Sequence, residues 1–290
     1  MSRKLGVALG AGGSWGFASL GVLRALEEEG IKVDYLSGSS MGSIIAVAYA
    51  SKFAGEDTIN QIINIFKTIK LRHIVKLSTH PFGLSSHEKR QVYFEKLLKD
   101  LTFEKLTIPV GVVATDFKTG EEVLFKEGPV LPATLASSAL PFIFAPYNYQ
   151  GAVLIDGGLS NPTPVDVVRN MGAEIVIGVD VTSKQHLTRL QTQTKWHHKV
   201  TLKIPVLRYF ISTKFDKIYF QVLDLLFSNL NKGKVLQSPP DFLLTPEVTH
   251  LGQMDFKKIN QIEQEGYKET KKIIPALKKL LDPIKSDLAS

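Results

Sequence analysis

The run Val33-Asp34-Tyr35-Leu36-Ser37-Gly38-Ser39-Ser40-Met41-Gly42-Ser43-Ile44 decides the fold of this chain. Residues 33–36 predict a β-strand, and the apolar stretch at residues 44–54 predicts a helix. Between them lies a Gly-x-Ser-x-Gly sequence centred on Ser40. This order is typical of a nucleophile elbow, in which a serine occupies a sharp turn and needs small neighbours. Ser40 is therefore the candidate nucleophile, and Gly38 and Gly42 are its candidate supports.

A second strand–turn–helix unit precedes the elbow. Residues 4–9 predict a buried strand, residues 10–16 a glycine-rich turn, and residues 17–29 a helix that ends at Gly30. Two such units in succession predict a parallel sheet with crossover helices. Further strands are predicted at residues 110–115, 122–125, 153–155, 175–181 and 242–244. Helices are predicted at residues 206–230 and 256–280, the second kinked or restarted at Pro275. The expected fold class is α/β, a three-layer α/β/α sandwich with a central, mostly parallel sheet.

The composition excludes several kinds of site. The chain has 290 residues, 44% of them hydrophobic, which is enough for a large core. It contains no cysteine, so disulfides, thiolate zinc sites and a cysteine nucleophile are excluded. Glycines interrupt the apolar start, so we do not interpret it as a signal peptide, and we expect no membrane-spanning segment. We expect a cytoplasmic protein, with peripheral membrane contact as an open alternative.

The glycine-rich loop at residues 10–16 has three interpretations. Its backbone amides could bind a dinucleotide pyrophosphate or the oxyanion of an acyl-transfer intermediate, or the loop could be only a tight turn. The dinucleotide fingerprint needs glycine at its first, third and sixth positions, and counting from Gly10 the sixth is Trp15. Asp34 could serve a ribose, but Ser40 would then have no role. We favour an oxyanion hole.

A serine nucleophile needs a base, and two candidates follow predicted strands. Asp156 ends an apolar strand and precedes Gly157 and Gly158, so a neighbour can approach its carboxylate closely. A buried carboxylate is a stronger base than a solvated one. His250 is the one histidine placed for a Ser-Asp-His triad, although a lone histidine is more often a surface residue. Asp116 is a further acid at a strand end, for which a turn role is favoured.

Four blocks, taken in order, resemble the patatin-like phospholipases. They are Ala11-Gly12-Gly13-Ser14-Trp15-Gly16; Gly38-Ser39-Ser40-Met41-Gly42; Ala136-Ser137-Ser138-Ala139-Leu140-Pro141 with Phe144 and Pro146; and Asp156-Gly157-Gly158 with Asn161-Pro162-Thr163-Pro164-Val165. The resemblance covers residues 5–181 and extends weakly to residues 241–281. It implies one hydrolase domain over residues 1–290, with a core at 5–181, a variable segment at 184–240, and a final strand and helix at 241–290.

The resemblance implies a serine esterase that hydrolyses carboxylic esters of lipids, either phospholipids or lysophospholipids. Ser40 would attack the carbonyl, Asp156 would take the proton, and no histidine, metal or cofactor would take part. The oxyanion hole would consist of the amides of Gly12, Gly13 and Met41. Supporting motif positions would be Ala11, Ser14, Gly16, Gly38, Gly42, Gly157 and Gly158.

Two positions depart from the family pattern. The family has glycine where this chain has Ala11, and usually a basic residue where it has Trp15. An indole cannot bind a phosphate as a cation can, so the head-group preference is open, and Trp15 could line an acyl pocket. These departures keep an alternative function, a catalytically weak or inactive module that binds lipid or a partner protein.

The positive charge is concentrated in the last third of the chain. Residues 1–183 carry a net charge of −1 and residues 184–290 a net charge of +8. Within residues 196–230, lysines and aromatic residues alternate with an apolar helical stripe that includes Val222, Leu225, Leu226 and Leu230. One interpretation is a cover that contacts an anionic membrane, and the other is a helix whose stripe completes the core. No nucleic-acid motif is visible, and the oligomeric state is open.

Overall fold

A computed structural model describes residues 3–52, 55–68, 83–85, 91, 92, 94, 95, 98, 100–182, 213–252 and 256–282. Ten strands are formed within these residues: β1 (Leu5–Leu9), β2 (Tyr35–Ser39), β3 (Gly83–Ser85), β4 (Val110–Asp116), β5 (Glu122–Phe125), β6 (Phe142–Phe144), β7 (Tyr147–Tyr149), β8 (Ala152–Asp156), β9 (Ile175–Val179) and β10 (Phe242–Leu244). The α-helices whose bounds lie within the described residues are α1 (Ala18–Glu28), α2 (Met41–Ala50), α3 (Thr58–Thr68), α4 (Val130–Ser137), α5 (Val165–Asn170), α6 (Thr213–Gln237) and α7 (Ile259–Leu281).

The main sheet is mostly parallel and its centre is buried on both faces. Its order is β10-β9-β1-β2-β4-β8-β7, with β5 paired to β4, and β3 and β6 form a separate pair. All five residues of β1 are buried, as expected for a strand between two layers of helices. Leu5, Val7 and Leu9 belong to the larger core, which also includes residues of α1, α2, α3 and α7. Ala8 belongs to a smaller core against α5, which confirms the three-layer α/β/α fold.

The arrangement around β4 sets up the site. Val112 and Val113 pair with both β2 and β5, whereas Ala114 and Thr115 pair with both β5 and β8. A strand has only two edges, so β5 occupies one edge and β2 and β8 share the other. Because β2 is parallel and β8 antiparallel to β4, their carboxyl ends meet end to end. Ser40 and Asp156 therefore follow two strands that are not paired with each other, and the two residues face each other along one edge of β4.

Helices α1 and α7 pack backbone to backbone. A Cβ atom on Gly21 would lie 1.9 Å from the Glu263 carbonyl oxygen, and one on Gly266 would lie 1.8 Å from the Ala18 carbonyl oxygen. Only glycine allows this approach at both positions. At the end of α1, hydrogen bonds from Lys271, which has the larger effect, and from Lys278 lower the pKa of Glu29 to about 2. The C-terminal helix is thus anchored to the first helix of the sheet by close packing and by ion pairs.

Several predicted bounds shift. The strand before the elbow is Tyr35–Ser39 rather than 33–36, because it runs on through the small residues of the motif, and helix α2 starts at Met41 rather than at residue 44. The predicted C-terminal helix is one helix with Pro275 inside it. Residues 184–212 of the predicted variable segment lie outside the described residues. None of the helices in the described ranges is both long and apolar enough to cross a bilayer.

Helix α6 turns four residues of its predicted apolar stripe away from the core. Leu223 and Phe227 are buried, whereas the predicted stripe residues Val222, Leu225, Leu226 and Leu230 are exposed. The interpretation of this stripe as core is therefore wrong for these residues. Polar groups account for this orientation, since buried Asn231 donates a hydrogen bond from Nδ2 to Asp180 Oδ2 at 2.6 Å. Because the side of the helix that carries Asn231 is buried, the side that carries the apolar stripe is exposed.

Candidate active site

Ser40 occupies a strained turn between β2 and α2. Its φ of 54° and ψ of −122° lie outside the regions that most residues adopt, a conformation that costs about 1–3 kcal/mol. The turn closes only around glycine, because a Cβ on Gly38 would lie 2.5 Å from the Gly42 carbonyl carbon, and one on Gly42 would lie 2.0 Å from the Leu9 carbonyl oxygen. The local geometry is that of a nucleophile elbow, which raises the hydroxyl out of the sheet.

The serine hydroxyl donates directly to a carboxylate. Ser40 Oγ lies 2.6 Å from Asp156 Oδ2, and the Asp156 side chain has no solvent exposure. The other oxygen, Oδ1, accepts a hydrogen bond of 2.9 Å from the Gly158 amide. A Cβ on Gly157 would lie 2.1 Å from the Val113 carbonyl oxygen, so the two glycines let the chain turn tightly against β4. The carboxylate is therefore held with one oxygen facing the serine.

Two hydroxyl groups that the sequence did not single out hold the backbone of this pair. Ser137 Oγ, at the end of α4, accepts a hydrogen bond of 2.9 Å from the Ser40 amide. Thr115 Oγ1 donates to the Asp156 carbonyl oxygen at 2.9 Å. A signal for Ser137 was present, since it belongs to one of the four family blocks. Thr115 had no such signal, because its role depends on how β8 pairs with β4.

The glycine-rich loop lies beside the elbow. Gly13 has a φ of 58°, which favours glycine, and a Cβ on Gly16 would lie 2.7 Å from Met41 Cγ. The Ala11 amide donates to the Pro162 carbonyl oxygen at 2.9 Å. Within the described part of the chain, no acceptor is paired with the amides of Gly12, Gly13 or Met41. Backbone donors without partners near a nucleophile are what an oxyanion hole requires.

Trp15 has a structural position. Its side chain is fully buried in the main core, and the indole Nε1 donates to the Leu251 carbonyl oxygen at 2.8 Å. Ser14 Oγ donates to the neighbouring Gly252 carbonyl oxygen at 3.0 Å. The suggestion that Trp15 lines an acyl pocket does not fit this packing. The tryptophan instead fastens the glycine-rich loop to the segment before α7.

The inner face of α6 covers the site. Leu223 and Phe227 form an apolar cluster with Ala11 and with partly buried side chains, namely Leu140, Leu159, Tyr219 and Phe220. A Cβ on Gly158 would lie 2.8 Å from the ring of Phe227. Burial raises the pKa of the Tyr219 phenol well above its ordinary value, and the charge of Asp156 raises it further. Tyr219 therefore stays protonated, and its hydroxyl donates to the Pro141 carbonyl oxygen.

The other candidate bases do not join the site. His250 is exposed in the turn after β10, and Asp156 rather than an imidazole bonds Ser40. Asp116 accepts hydrogen bonds from the amides of Thr119 and Lys118, which lower its pKa, as expected of a carboxylate that stabilises a turn. Where the sequence left alternatives open, the geometry pairs Ser40 with Asp156.

Comparison with known families agrees with this geometry. The sequence model of the family described as patatin-like phospholipase matches residues 7–169, more than half of the chain. That range includes the glycine-rich loop, the elbow and Asp156. The chain belongs to the patatin-like phospholipase family, which confirms the resemblance found in the sequence.

The individual proteins that resemble this chain share about a third of its residues or fewer. An uncharacterized NTE family protein of Mycobacterium tuberculosis is 32% identical over 187 residues, covering 63% of this chain and 51% of that protein. Human patatin-like phospholipase domain-containing protein 6 is 28% identical over 93% of this chain and 20% of its own length. The chain thus matches about half or less of these relatives. The crystal structure of VipD from Legionella pneumophila shares the fold, with a TM-score of 0.51 at 13% identity over 95% of this chain and 67% of that one.

Proposed function

We propose that this protein is a serine hydrolase that cleaves carboxylic esters of lipids through a dyad of Ser40 and Asp156. The observation that carries the proposal is the 2.6 Å hydrogen bond from the Ser40 hydroxyl to the buried Asp156 carboxylate. A serine hydroxyl is a weak nucleophile until an adjacent base takes its proton. Direct contact with a carboxylate supplies that base, and membership of the family supports the reaction class.

The first half of the reaction transfers the acyl group to the enzyme. Ser40 Oγ forms a bond to the ester carbonyl carbon while its proton passes to Asp156 Oδ2. The carbonyl oxygen becomes an oxyanion, which the amides of Gly12, Gly13 and Met41 stabilise. The carbon–oxygen bond to the leaving alcohol then breaks, and the alcohol leaves with the proton held by Asp156. An acyl-serine ester remains, and the carboxylate is again charged.

The second half releases the acid. Water enters where the alcohol left and gives its proton to Asp156 as its oxygen bonds to the acyl carbon. A second oxyanion forms in the same amide cradle. Its collapse breaks the acyl–Ser40 bond, and the serine oxygen recovers the proton from Asp156. The strained backbone of Ser40, held by Ser137, keeps the oxygen in one position through both halves.

The apolar surroundings of the dyad favour a fatty acyl chain. Leu223, Phe227 and Tyr219 of α6 lie on the side of the site where Gly158 meets the helix. Such a wall suits an acyl chain better than a sugar or a peptide. We therefore propose phospholipids or lysophospholipids as substrates.

Turnover of p-nitrophenyl esters of increasing chain length, followed by lysophosphatidylcholine, tests this function. We expect wild-type protein to hydrolyse both kinds of substrate, and Ser40→Ala to lose activity to the uncatalysed rate. Ser51→Ala is the matched control, because its hydroxyl caps the far end of α2 by bonding the Ala48 carbonyl oxygen at 2.7 Å. A folded wild type without turnover on any of these esters would favour the alternative, a binding module that retains the elbow as scaffold.

A further inference from the structure

We infer that the outer face of α6 is a docking surface for an anionic lipid bilayer. Five of the eleven large hydrophobic side chains exposed in the described residues lie on this helix, namely Val222, Leu225, Leu226, Leu230 and Leu236. Clustered exposure of this kind marks an interaction surface, whereas scattered single residues do not. We call Val222, Leu225, Leu226 and Leu230, together with Phe142, the outer apolar face.

The outer apolar face is continuous. Val222, Leu226 and Leu230 follow one another at four-residue spacing and so lie on one side of the helix. Phe142, which is 62% exposed, contacts the ring of Tyr219 edge-on at 5.9 Å between centroids, one turn before Val222. Phe142 also has a φ of 62°, an unusual conformation for a bulky residue. The apolar surface therefore continues from α6 onto the start of strand β6.

The polar contacts of α6 hold this face outward. Asn231 is bonded to Asp180, and Lys234 Nζ lies 3.2 Å from Glu122 Oε2. With Leu223 and Phe227 packed against the site, the helix cannot turn its exposed leucines into the core without breaking these contacts. The packing of α6 thus keeps the outer apolar face exposed.

Charge decides between a membrane and another protein. The one acidic residue between positions 219 and 237 is Asp224, which is buried, whereas Lys232 is exposed. Residues 184–290 carry a net charge of +8. An apolar face without exposed acid, on the basic part of the chain, is complementary to anionic lipid. The choice of a lipid surface also rests on the proposed hydrolysis of lipid esters, since the other side of α6 packs through Phe227 against Gly158, next to the dyad.

Vesicle flotation of the full chain tests the inference, with Ser40→Ala as the background so that the lipid is not consumed. The vesicles are phosphatidylcholine alone and an equimolar mixture with phosphatidylglycerol. We expect binding to the anionic vesicles that weakens with added salt. Val222→Ser with Leu226→Ser should lower the partition coefficient at least about tenfold, about 1.4 kcal/mol. Leu243→Ser with Leu280→Ser, exposed positions on β10 and α7, is the matched control and should bind as the parent does.

Three outcomes would overturn the inference. They are equal partition of the two double variants, no binding of the parent to anionic vesicles, and a dimer in sedimentation that the α6 variant alone dissociates, since a second copy would then occupy the face. Thermal unfolding of each variant shows that it is folded. Ester turnover by wild type is measured separately. Binding without turnover would remove the proposed function and leave the docking surface, and turnover without binding would do the reverse.

Discussion

Asp156→Asn is the substitution that most sharply separates a dyad from other arrangements. The amide has nearly the same shape as the carboxylate, so packing around this fully buried side chain is retained. Its single carbonyl oxygen can accept the Gly158 amide or the Ser40 hydroxyl, but not both as the carboxylate does at 2.9 and 2.6 Å. In either orientation, the side chain cannot take a proton from serine.

The expected loss follows from the role of the base. A positioned general base contributes about 10²–10⁴ in rate, which is about 2.7–5.4 kcal/mol in the barrier. We therefore expect kcat for a soluble p-nitrophenyl ester to fall by about that factor in Asp156→Asn, with a smaller change in KM. His250→Ala, at an exposed position, should retain wild-type kcat. An Asp156→Asn protein that is folded and within a few-fold of wild-type kcat would refute the reasoning.

Three further predictions concern stability. Gly38→Ala places a methyl group 2.5 Å from the Gly42 backbone, which cannot yield, so we expect a loss of at least about 2 kcal/mol in urea unfolding; an unchanged midpoint would contradict it. Trp15→Phe leaves the buried Leu251 carbonyl without its indole donor and should cost about 1–3 kcal/mol by the same assay, whereas a neutral result would mean that the loop is not fastened there. The two lysines of α7 lower the pKa of Glu29 from 4.5 to about 2, so the stabilising contribution of Glu29 is complete above about pH 4.5 and is lost as the pH falls towards 2. In Glu29→Gln, this part of the pH dependence of the unfolding free energy should disappear. An acid unfolding profile identical to that of wild type would contradict this prediction.

The sequence predicted the parts of the site that depend on local spacing. Gly38, Ser40 and Gly42 indicated the elbow because steric demand at a sharp turn leaves few alternatives. Asp156 was identified by its place after a strand and before two glycines. The sequence could not predict that β8 runs antiparallel and shares an edge of β4 with β2, since three apolar residues do not encode strand direction. For the same reason, the sequence could not predict that Thr115 hydrogen-bonds the backbone of Asp156.

The orientation of α6 could not be derived from periodicity. An apolar stripe at four-residue spacing usually faces the core, yet here Val222, Leu226 and Leu230 are exposed. The side that is buried carries Asn231, whose amide is satisfied by Asp180 across the structure. A buried polar pair of this kind is invisible in a hydropathy pattern, because both partners look like surface residues until the fold brings them together.

Mass spectrometry of a covalent phosphonyl-serine adduct tests the central claim most directly. Wild-type protein treated with a fluorophosphonate ester should gain one adduct, located by peptide sequencing on Ser40, and Asp156→Asn should form it far more slowly at the same pH. An adduct on another residue, equal labelling of Ser40→Ala, or undiminished labelling of Asp156→Asn would contradict a mechanism in which this hydroxyl is activated by this carboxylate.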